Sequence, residues 1–176
     1  MCVVASLLAA GGAACGGGGT GSCGSGDSGP ILPLPRVEED VRVGGIILRL
    51  DREKWGYSVF AATKEGVLAR FSGEDIEVTL RRVLPMREDE RSLAQRLRSR
   101  NDVLYVHSVA TSGGLRGLKV GFALRSGLAP HKQSTVRYFI AVPAQDWLCF
   151  EARPTGRSPQ WQDANELILG AKFDRS

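Results

Sequence analysis

Four groups of residues in this sequence have types or spacings that could support chemistry. Residues 19–24 (GTGSCG) have the G-x-G-x-x-G spacing of a dinucleotide-binding turn, and residues 26–30 (GDSGP) are one glycine short of the G-D-S-G-G-P around a trypsin-like nucleophile. His107 and Cys149 have the side chains of a base and a nucleophile. Seven arginines lie in the stretch 81–100, a density that suits binding of phosphate or other anions.

The elements that must position the two glycine-rich motifs are missing from the sequence around them. A dinucleotide-binding turn follows a buried strand and opens a helix, whereas residues 19–24 follow an uncharged leader and precede a run of Ser, Gly and Pro. A protease nucleophile needs a His, an Asp and an oxyanion hole held on a rigid scaffold. The glycine-rich surroundings of Ser28 cannot hold that geometry. Residues 15–35 are therefore interpreted as a tether without chemistry.

His107 and Cys149 each lie within a predicted strand, and no local motif joins them. We expect both side chains to pack rather than react, since a free cysteine in a strand is ordinarily a small core residue. His131 is the only other histidine, and no compact set of Cys, His and acidic residues exists. No catalytic residue, metal site or cofactor is predicted. In an oxidising compartment Cys23 could form a disulfide with Cys149 or with another chain.

The arginine-rich stretch is interpreted mainly as an exposed helix face. Glu88, Asp89 and Glu90 dilute its positive charge, and no aromatic residues alternate with the arginines, so nucleic-acid binding is not predicted. The functional alternative is contact with anions or lipid headgroups. The residues predicted for that contact are Arg91, Arg96, Arg98 and Arg100.

The composition divides the chain into two parts. Residues 1–35 contain 10 of the 22 glycines, three of the four cysteines and a single charged residue, Asp27. The remaining residues carry all 23 Lys and Arg against 18 Asp and Glu, a net charge of +5. With 43% hydrophobic residues, the chain has enough apolar mass for one globular domain, which we place at residues 36–176.

The first fourteen residues, MCVVASLLAAGGAA, are uncharged and apolar or small, as in an export signal. They are shorter than the roughly 20 residues of a membrane span. Small residues lead into Cys15, so residues 1–14 resemble a bacterial lipoprotein signal, in which the cysteine is lipidated and the chain is cleaved in front of it. A secretory signal cut after Ala14, or an Ala/Gly leader on an intracellular protein, are the alternatives. As a flexible coil, residues 16–29 would reach about 20 Å.

The body contains seven segments in which apolar residues recur at every second position. This spacing predicts half-buried strands, and the short turns between them imply antiparallel neighbours. The segments are 46–50, 67–71, 76–81, 103–110, 118–124, 136–142 and 147–152.

Two further segments have helical spacing. Met86–Arg98 has acidic residues first and arginines last, as the helix dipole favours, with Leu93 and Leu97 on one face. The pair 158–159 (Ser-Pro) has the pattern of an N-cap and first residue of a second helix that ends at Gly170. This order of elements predicts an α+β fold with an antiparallel sheet of about six to seven strands flanked by two helices.

The succession of elements resembles the PsbP and DcrB-type domains of envelope and thylakoid lumen proteins. The resemblance covers about residues 43–174 and rests on the hydrophobic spacing of residues 46–82, the acidic helix start before Leu93, the hairpin 117–125, and the runs RYFIAVPAQDWLCFEA and WQDANELILGAKF. It implies an α/β/α sandwich and membership of a group with many bacterial lipoproteins. No residue matches a photosystem-binding position, so that activity is not carried over.

Together these features predict a non-enzymatic, membrane-tethered lipoprotein domain of the bacterial cell envelope, periplasmic or at the cell surface. Its predicted partners are the membrane, through a lipid on Cys15, and a protein or ligand bound by the folded body. Two alternatives are an immunity protein or chaperone that binds a secreted effector, and a hydrolase that uses Cys149 and His107.

Overall fold

A computed structural model describes residues 37–61, 63, 66–83, 89–123, 133–143 and 147–175. The predicted signal (1–14) and the predicted tether (15–35) lie outside the described residues. Cys15, Cys23 and His131 therefore lie outside them too.

Ten strands and two helices make up the described part of the chain. In chain order they are β1 (Glu38–Val43), β2 (Ile46–Asp51), β3 (Gly56–Val59), β4 (Val67–Gly73), β5 (Ile76–Arg82), α1 (Glu90–Arg98), β6 (Val103–Ala110), β7 (Arg116–Ala123), β8 (Gln133–Ala141), β9 (Trp147–Pro154), α2 (Trp161–Leu169) and β10 (Lys172–Phe173).

The strands form two antiparallel sheets. The large sheet has seven strands in the order β3-β4-β5-β9-β8-β7-β6, and the small sheet has three in the order β1-β2-β10. The predicted α+β class, with its antiparallel sheet and two flanking helices, is confirmed. The small sheet is an addition to the prediction, because the predicted strand 46–50 is β2, which pairs with β1 and β10 rather than with the large sheet.

The larger hydrophobic core lies between the large sheet, the small sheet and α2. Alternating residues of β4, β5, β8 and β9 point into it, which is the burial that their period-two sequence pattern predicts. Its fully buried large side chains include Phe71, Leu80, Tyr138, Phe150, Ile46 and Leu48.

Helix α1 covers the opposite face of the large sheet and makes a second, smaller core. Leu93, Ala94 and Leu97 are its buried residues, and they pack with Leu118 and Val120 of β7. The sequence pattern predicts a helix from Met86, but α1 begins only at Glu90. Asp89 has an extended backbone and caps the helix, because its Oδ1 accepts a hydrogen bond from the Ser92 N–H at 2.7 Å. Residues 84–88 lie outside the described residues.

Helix α2 begins later than its sequence pattern predicts. Its N-cap is Gln160, which makes no side-chain capping bond, and the backbone N–H of Ser158 instead donates to Asp75 Oδ2 at 3.0 Å. The predicted end at Gly170 is confirmed, since the Gly170 N–H closes the last turn on the Glu166 carbonyl. In the described part of the chain, neither nine-residue helix has the length or the hydropathy to span a bilayer.

Gly117 of β7 leaves no room for a side chain beside β8. A Cβ at this position would overlap the carbonyl oxygen of Phe139, which belongs to the paired strand and cannot move without disturbing the ladder. We expect Gly117→Ala to lower the free energy of unfolding by about 2 to 3 kcal/mol, in the range of overpacking substitutions. Urea denaturation measures the change.

Gly56→Ala is the matched control. Gly56 also lies in a strand, but the nearest atom to an added Cβ is 3.9 Å away, an ordinary contact. Its free energy of unfolding should change by less than about 0.5 kcal/mol. Equal stabilities of the two variants would show that the β7–β8 spacing is not as tight as described.

Candidate functional site

The two helices cover different strands on the two faces of the large sheet. On one face α1 packs against β6 and β7, and on the other α2 packs against β5 and β9 beside the small sheet. Each face therefore keeps an area that no described helix covers. We call the uncovered area of the α1 side the arginine face, and that of the α2 side the Lys119 shelf.

The arginine face consists of outward residues of four neighbouring strands. Register puts Arg70 opposite Thr79, Thr79 opposite Glu151 and Glu151 opposite Arg137, so one row crosses β4, β5, β9 and β8. The period of two adds more outward positions above and below this row. The charged members of the face are Arg70, Arg81, Arg137, Arg153, Glu77 and Glu151.

Glu151 is the centre of this face. Its side chain is only 6% exposed, and it accepts a hydrogen bond from Arg137 Nε at 2.6 Å while its other oxygen forms an ion pair with Arg153. Arg81 Nε is buried and has no hydrogen-bond partner among the described residues. Two ion-paired arginines and a third nearby give the face more positive than negative charge, a composition that favours anions.

Arg70, Arg137 and Arg153 are not among the predicted site residues. The signal for them is in the sequence, because each alternates with an inward apolar residue and so occupies an outward position. The sequence does not give the strand order, which brings Arg137 and Arg153 together at Glu151 and places Arg70 on the same face.

The Lys119 shelf lies on β6 and β7 beside α2. Lys119 Nζ donates to Asn165 Oδ1 at 3.1 Å, and the Tyr138 hydroxyl donates to the same oxygen at 2.9 Å. Because an ammonium group has only donors, the amide oxygen of Asn165 must face Lys119. His107 lies directly opposite Lys119 across the β6–β7 pair. The Tyr105 and His107 rings stack at 5.0 Å with an interplanar angle of 24°.

Burial shifts the pKa values of three side chains on this shelf. It lowers the pKa of Lys119, because the half-buried ammonium loses hydration, and it raises the pKa of Tyr105 and Tyr138 for the corresponding reason. No carboxylate of the described residues lies within ion-pair distance of Lys119. Its electrostatic partners are the Asn165 oxygen and the face of the Tyr138 ring, whose centre is 5.5 Å from Nζ.

The predicted contact residues of α1 do not form one cluster. Arg91, Arg96 and Arg98 are exposed, but the helical repeat turns Arg96 to the opposite flank from Arg91 and Arg98. Arg100 lies beyond the helix and makes two hydrogen bonds to the Asp102 carboxylate, at 2.9 and 2.7 Å. The four predicted residues therefore do not form one patch. Arg100 lies beside the arginine face, because its guanidinium and that of Arg137 both contact the Phe122 ring, at 5.7 and 4.9 Å from its centre.

His107 and Cys149 cannot act as a base and nucleophile pair. Cys149 packs in the core under α1, whereas His107 lies on the other face of the sheet. With β7 and β8 between their strands, they are also about 14 Å apart across the sheet. The prediction that Cys149 packs in a core is confirmed. For His107 it is wrong, since its side chain is exposed, with its ring stacked on that of Tyr105.

A polar cavity of about 290 Å³ lies between the small sheet and α2. Lys54 and Asp163, which form a 2.7 Å ion pair, line it with Glu38, Arg49 and Glu166. Its acidic and basic groups largely pair with one another. Within the described residues, no group of three or more His, Cys, Asp or Glu side chains is placed to hold a metal ion.

Burial raises the pKa of Cys149 to about 12, so its thiol is protonated near neutral pH and gains thiolate only as the pH approaches that value. We expect iodoacetamide at pH 8 to label Cys149 at least about a hundredfold more slowly in the folded chain than in urea. Mass spectrometry of the peptide that contains Cys149 separates it from the other cysteines. Rapid labelling of this peptide in the folded chain would contradict the described packing.

The sequence matches no protein-family model and no curated protein sequence. Among solved structures it is similar to the solution structure of cyanobacterial PsbP (CyanoP) from Synechocystis sp. PCC 6803, with a TM-score of 0.54 and 9% sequence identity. The alignment covers 88% of this chain and 98% of that protein. At this identity the likeness shows the fold alone. The described body therefore has a PsbP-like α+β fold.

Proposed function

We propose that the protein is a lipid-anchored binding domain of a bacterial envelope, with a role in binding rather than catalysis. The observation that carries the proposal is the order of the parts: an apolar leader, Cys15 and a Gly/Ser-rich tether precede a body with a PsbP-like fold. Two acyl chains on one cysteine give stable membrane binding where a single chain is marginal.

The arginine face supports a membrane-proximal role. Its four arginines outnumber its two glutamates, and the side chains of Arg153 and Arg137 are 56% and 36% exposed. Guanidinium groups suit phosphate oxygens, which they can bind with two parallel hydrogen bonds. In our proposal this face, rather than the four predicted arginines at 91–100, contacts anionic headgroups once the tether holds the body near the bilayer.

The anchor is tested by Cys15→Ser in bacterial cells. We expect the unchanged chain in the membrane fraction and the variant in the soluble fraction, since the variant has no thiol to lipidate. Cys23→Ser is the matched control, because it removes a nearby thiol that is not at the predicted lipidation site, and it should stay with the membrane.

Equal solubility of the unchanged and Cys15→Ser chains would contradict the anchor. The alternative role as an immunity protein or chaperone predicts a different result. One effector protein would be purified in stoichiometric amount together with the unchanged chain and also with the Cys15→Ser variant. The same fractionation experiment, followed by affinity purification, distinguishes the two.

The arginine face is tested with the unlipidated Cys15→Ser chain and vesicles that contain anionic phospholipid. We expect Arg70→Gln with Arg153→Gln to weaken co-sedimentation by about tenfold or more at low salt, since each basic residue near the surface contributes about 1 kcal/mol. Raising the salt should reduce the difference, because exposed charges are screened.

Arg49→Gln with Arg52→Gln is the matched double variant. Both residues are exposed arginines of the small-sheet region that pair with carboxylates. This variant should bind vesicles as well as the parent does. An equal loss in both double variants would indicate attraction by net charge alone and would contradict a role for the arginine face.

A further inference from the structure

We propose that the Lys119 shelf is a binding site for a planar aromatic carboxylate. This inference deepens the proposed function by naming a ligand class, and it rests on that function only for the binding role and not for the anchor. Three features of the shelf favour such a ligand: the charge of Lys119, which has no carboxylate partner among the described residues, the unused donors around it, and the stacked rings beside it.

The positive charge of Lys119 favours binding of an anion. The side chain is half-buried, and in the described part of the chain its only hydrogen-bond partner is a neutral amide oxygen. A half-buried ammonium without a carboxylate carries a desolvation cost that an incoming anion would offset. Since the shelf has a single fixed positive charge, a monoanion matches it better than a phosphate dianion.

Several hydrogen-bond donors around Lys119 have no acceptor within the part of the chain that the structure describes. Of the three N–H groups on Nζ, one is used by Asn165 Oδ1, and the amide nitrogen of Asn165 has no acceptor among the described residues. The acidic residues of α2 do not face the shelf. Asp163 pairs with Lys54, and Glu166 accepts a hydrogen bond from Gln162 and lines the polar cavity. Two oxygens of one carboxylate would satisfy the free donors.

The neighbouring rings specify the rest of the ligand. Tyr105 packs so closely on Gly121 that a Cβ there would overlap its ring, and this contact fixes the Tyr105–His107 stack. The outer side of the stack is formed by His107, which is exposed. Directly opposite residues on paired strands have Cβ atoms about 5 Å apart. One small molecule can therefore place its carboxylate at Lys119 and its ring against His107.

Benzoate is the probe, and the Cys15→Ser full-length chain is the protein. We expect saturable changes in the amide and imidazole NMR signals of His107, Lys119 and Asn165 on titration with sodium benzoate. Acetate, which has no ring, and benzamide, which has no charge, should each bind at least about tenfold more weakly, since each lacks one of the two interactions. N-acetylphenylalanine carries the same groups as a C-terminal residue. If it binds more tightly than benzoate, the ligand is a chain terminus, and the reverse order assigns the site to a free small molecule.

Two substitutions test the assignment in different ways. Lys119→Met keeps the apolar stem and removes the charge, and should weaken benzoate binding at least about tenfold. Asn165→Asp places a carboxylate where the ligand's carboxylate would act, and should weaken binding as much while keeping the fold. Lys172→Met removes an exposed lysine of β10 and should leave the affinity unchanged.

The proposal is overturned if benzoate gives no saturable change, if benzamide binds as well as benzoate, or if Lys119→Met or Asn165→Asp binds benzoate as the parent does. Equal loss in Lys172→Met would assign the binding to net charge and overturn it too. The titration uses an unlipidated chain, so its failure would not contradict the proposed lipid anchor. Conversely, a soluble chain with Cys15 in the fractionation experiment would contradict the anchor but not the ligand site on the Lys119 shelf.

Discussion

The width of the large sheet is the constraint from which the candidate sites follow. Seven strands have six spacings of about 4.8 Å and so extend about 29 Å, while a helix with its side chains is about 10 Å across and covers roughly two strands. The described residues provide one nine-residue helix for the α1 side, and it lies on β6 and β7. On the α2 side, the small sheet and α2 share the remaining strands. Neither face can be closed with these parts, so both keep exposed outward residues.

The two uncovered areas handle their charge in different ways. On the arginine face a buried carboxylate, Glu151, holds two guanidinium groups, and the arrangement fixes the side chains of Arg137 and Arg153. Removing one member of such a buried pair leaves the other uncompensated. Among the described residues, the Lys119 shelf has no acid in that place. Its network consists of a lysine, a tyrosine and an amide, so its charge is available to a ligand rather than used within the protein.

Strands in which every second side chain is buried could be predicted from the sequence. Strands without buried side chains, which form only because a neighbouring strand offers hydrogen-bond partners, could not. Val67, Ala69 and Phe71 alternate with Leu68 and Arg70, and the three are buried in β4. By contrast, β3 (Gly56–Val59) has no buried residue, and it forms a strand because β4 offers a free edge. The start of α2 was also mispredicted: Ser158 is a good N-cap by type, but the helix begins at Trp161, and the Ser158 N–H donates to Asp75, 83 positions away.

The candidate sites were the least predictable part because they depend on strand order. His107 and Cys149 have the side chains of a base and a nucleophile, yet they lie on opposite faces of the sheet with two strands between them. Arg70 and Arg137 are 67 positions apart in the sequence, yet they lie in one row across the sheet with β5 and β9 between them. Alternation gives the side of a strand on which a residue lies, but only the pairing of β5 with β9 gives its neighbours.

The comparison of two lysines on either side of α2 argues that the Lys119 shelf is more than a polar patch. On one flank of the helix Asp163 forms an ion pair with Lys54 at 2.7 Å, as is common for a lysine beside a helix. On the other flank, two residues along, Lys119 meets Asn165 at 3.1 Å. An aspartate has nearly the same shape as asparagine and would give Lys119 a charged partner, so packing alone does not require the amide. A neutral amide at that position keeps the ammonium in place without neutralising it, which is what a site for an external carboxylate needs.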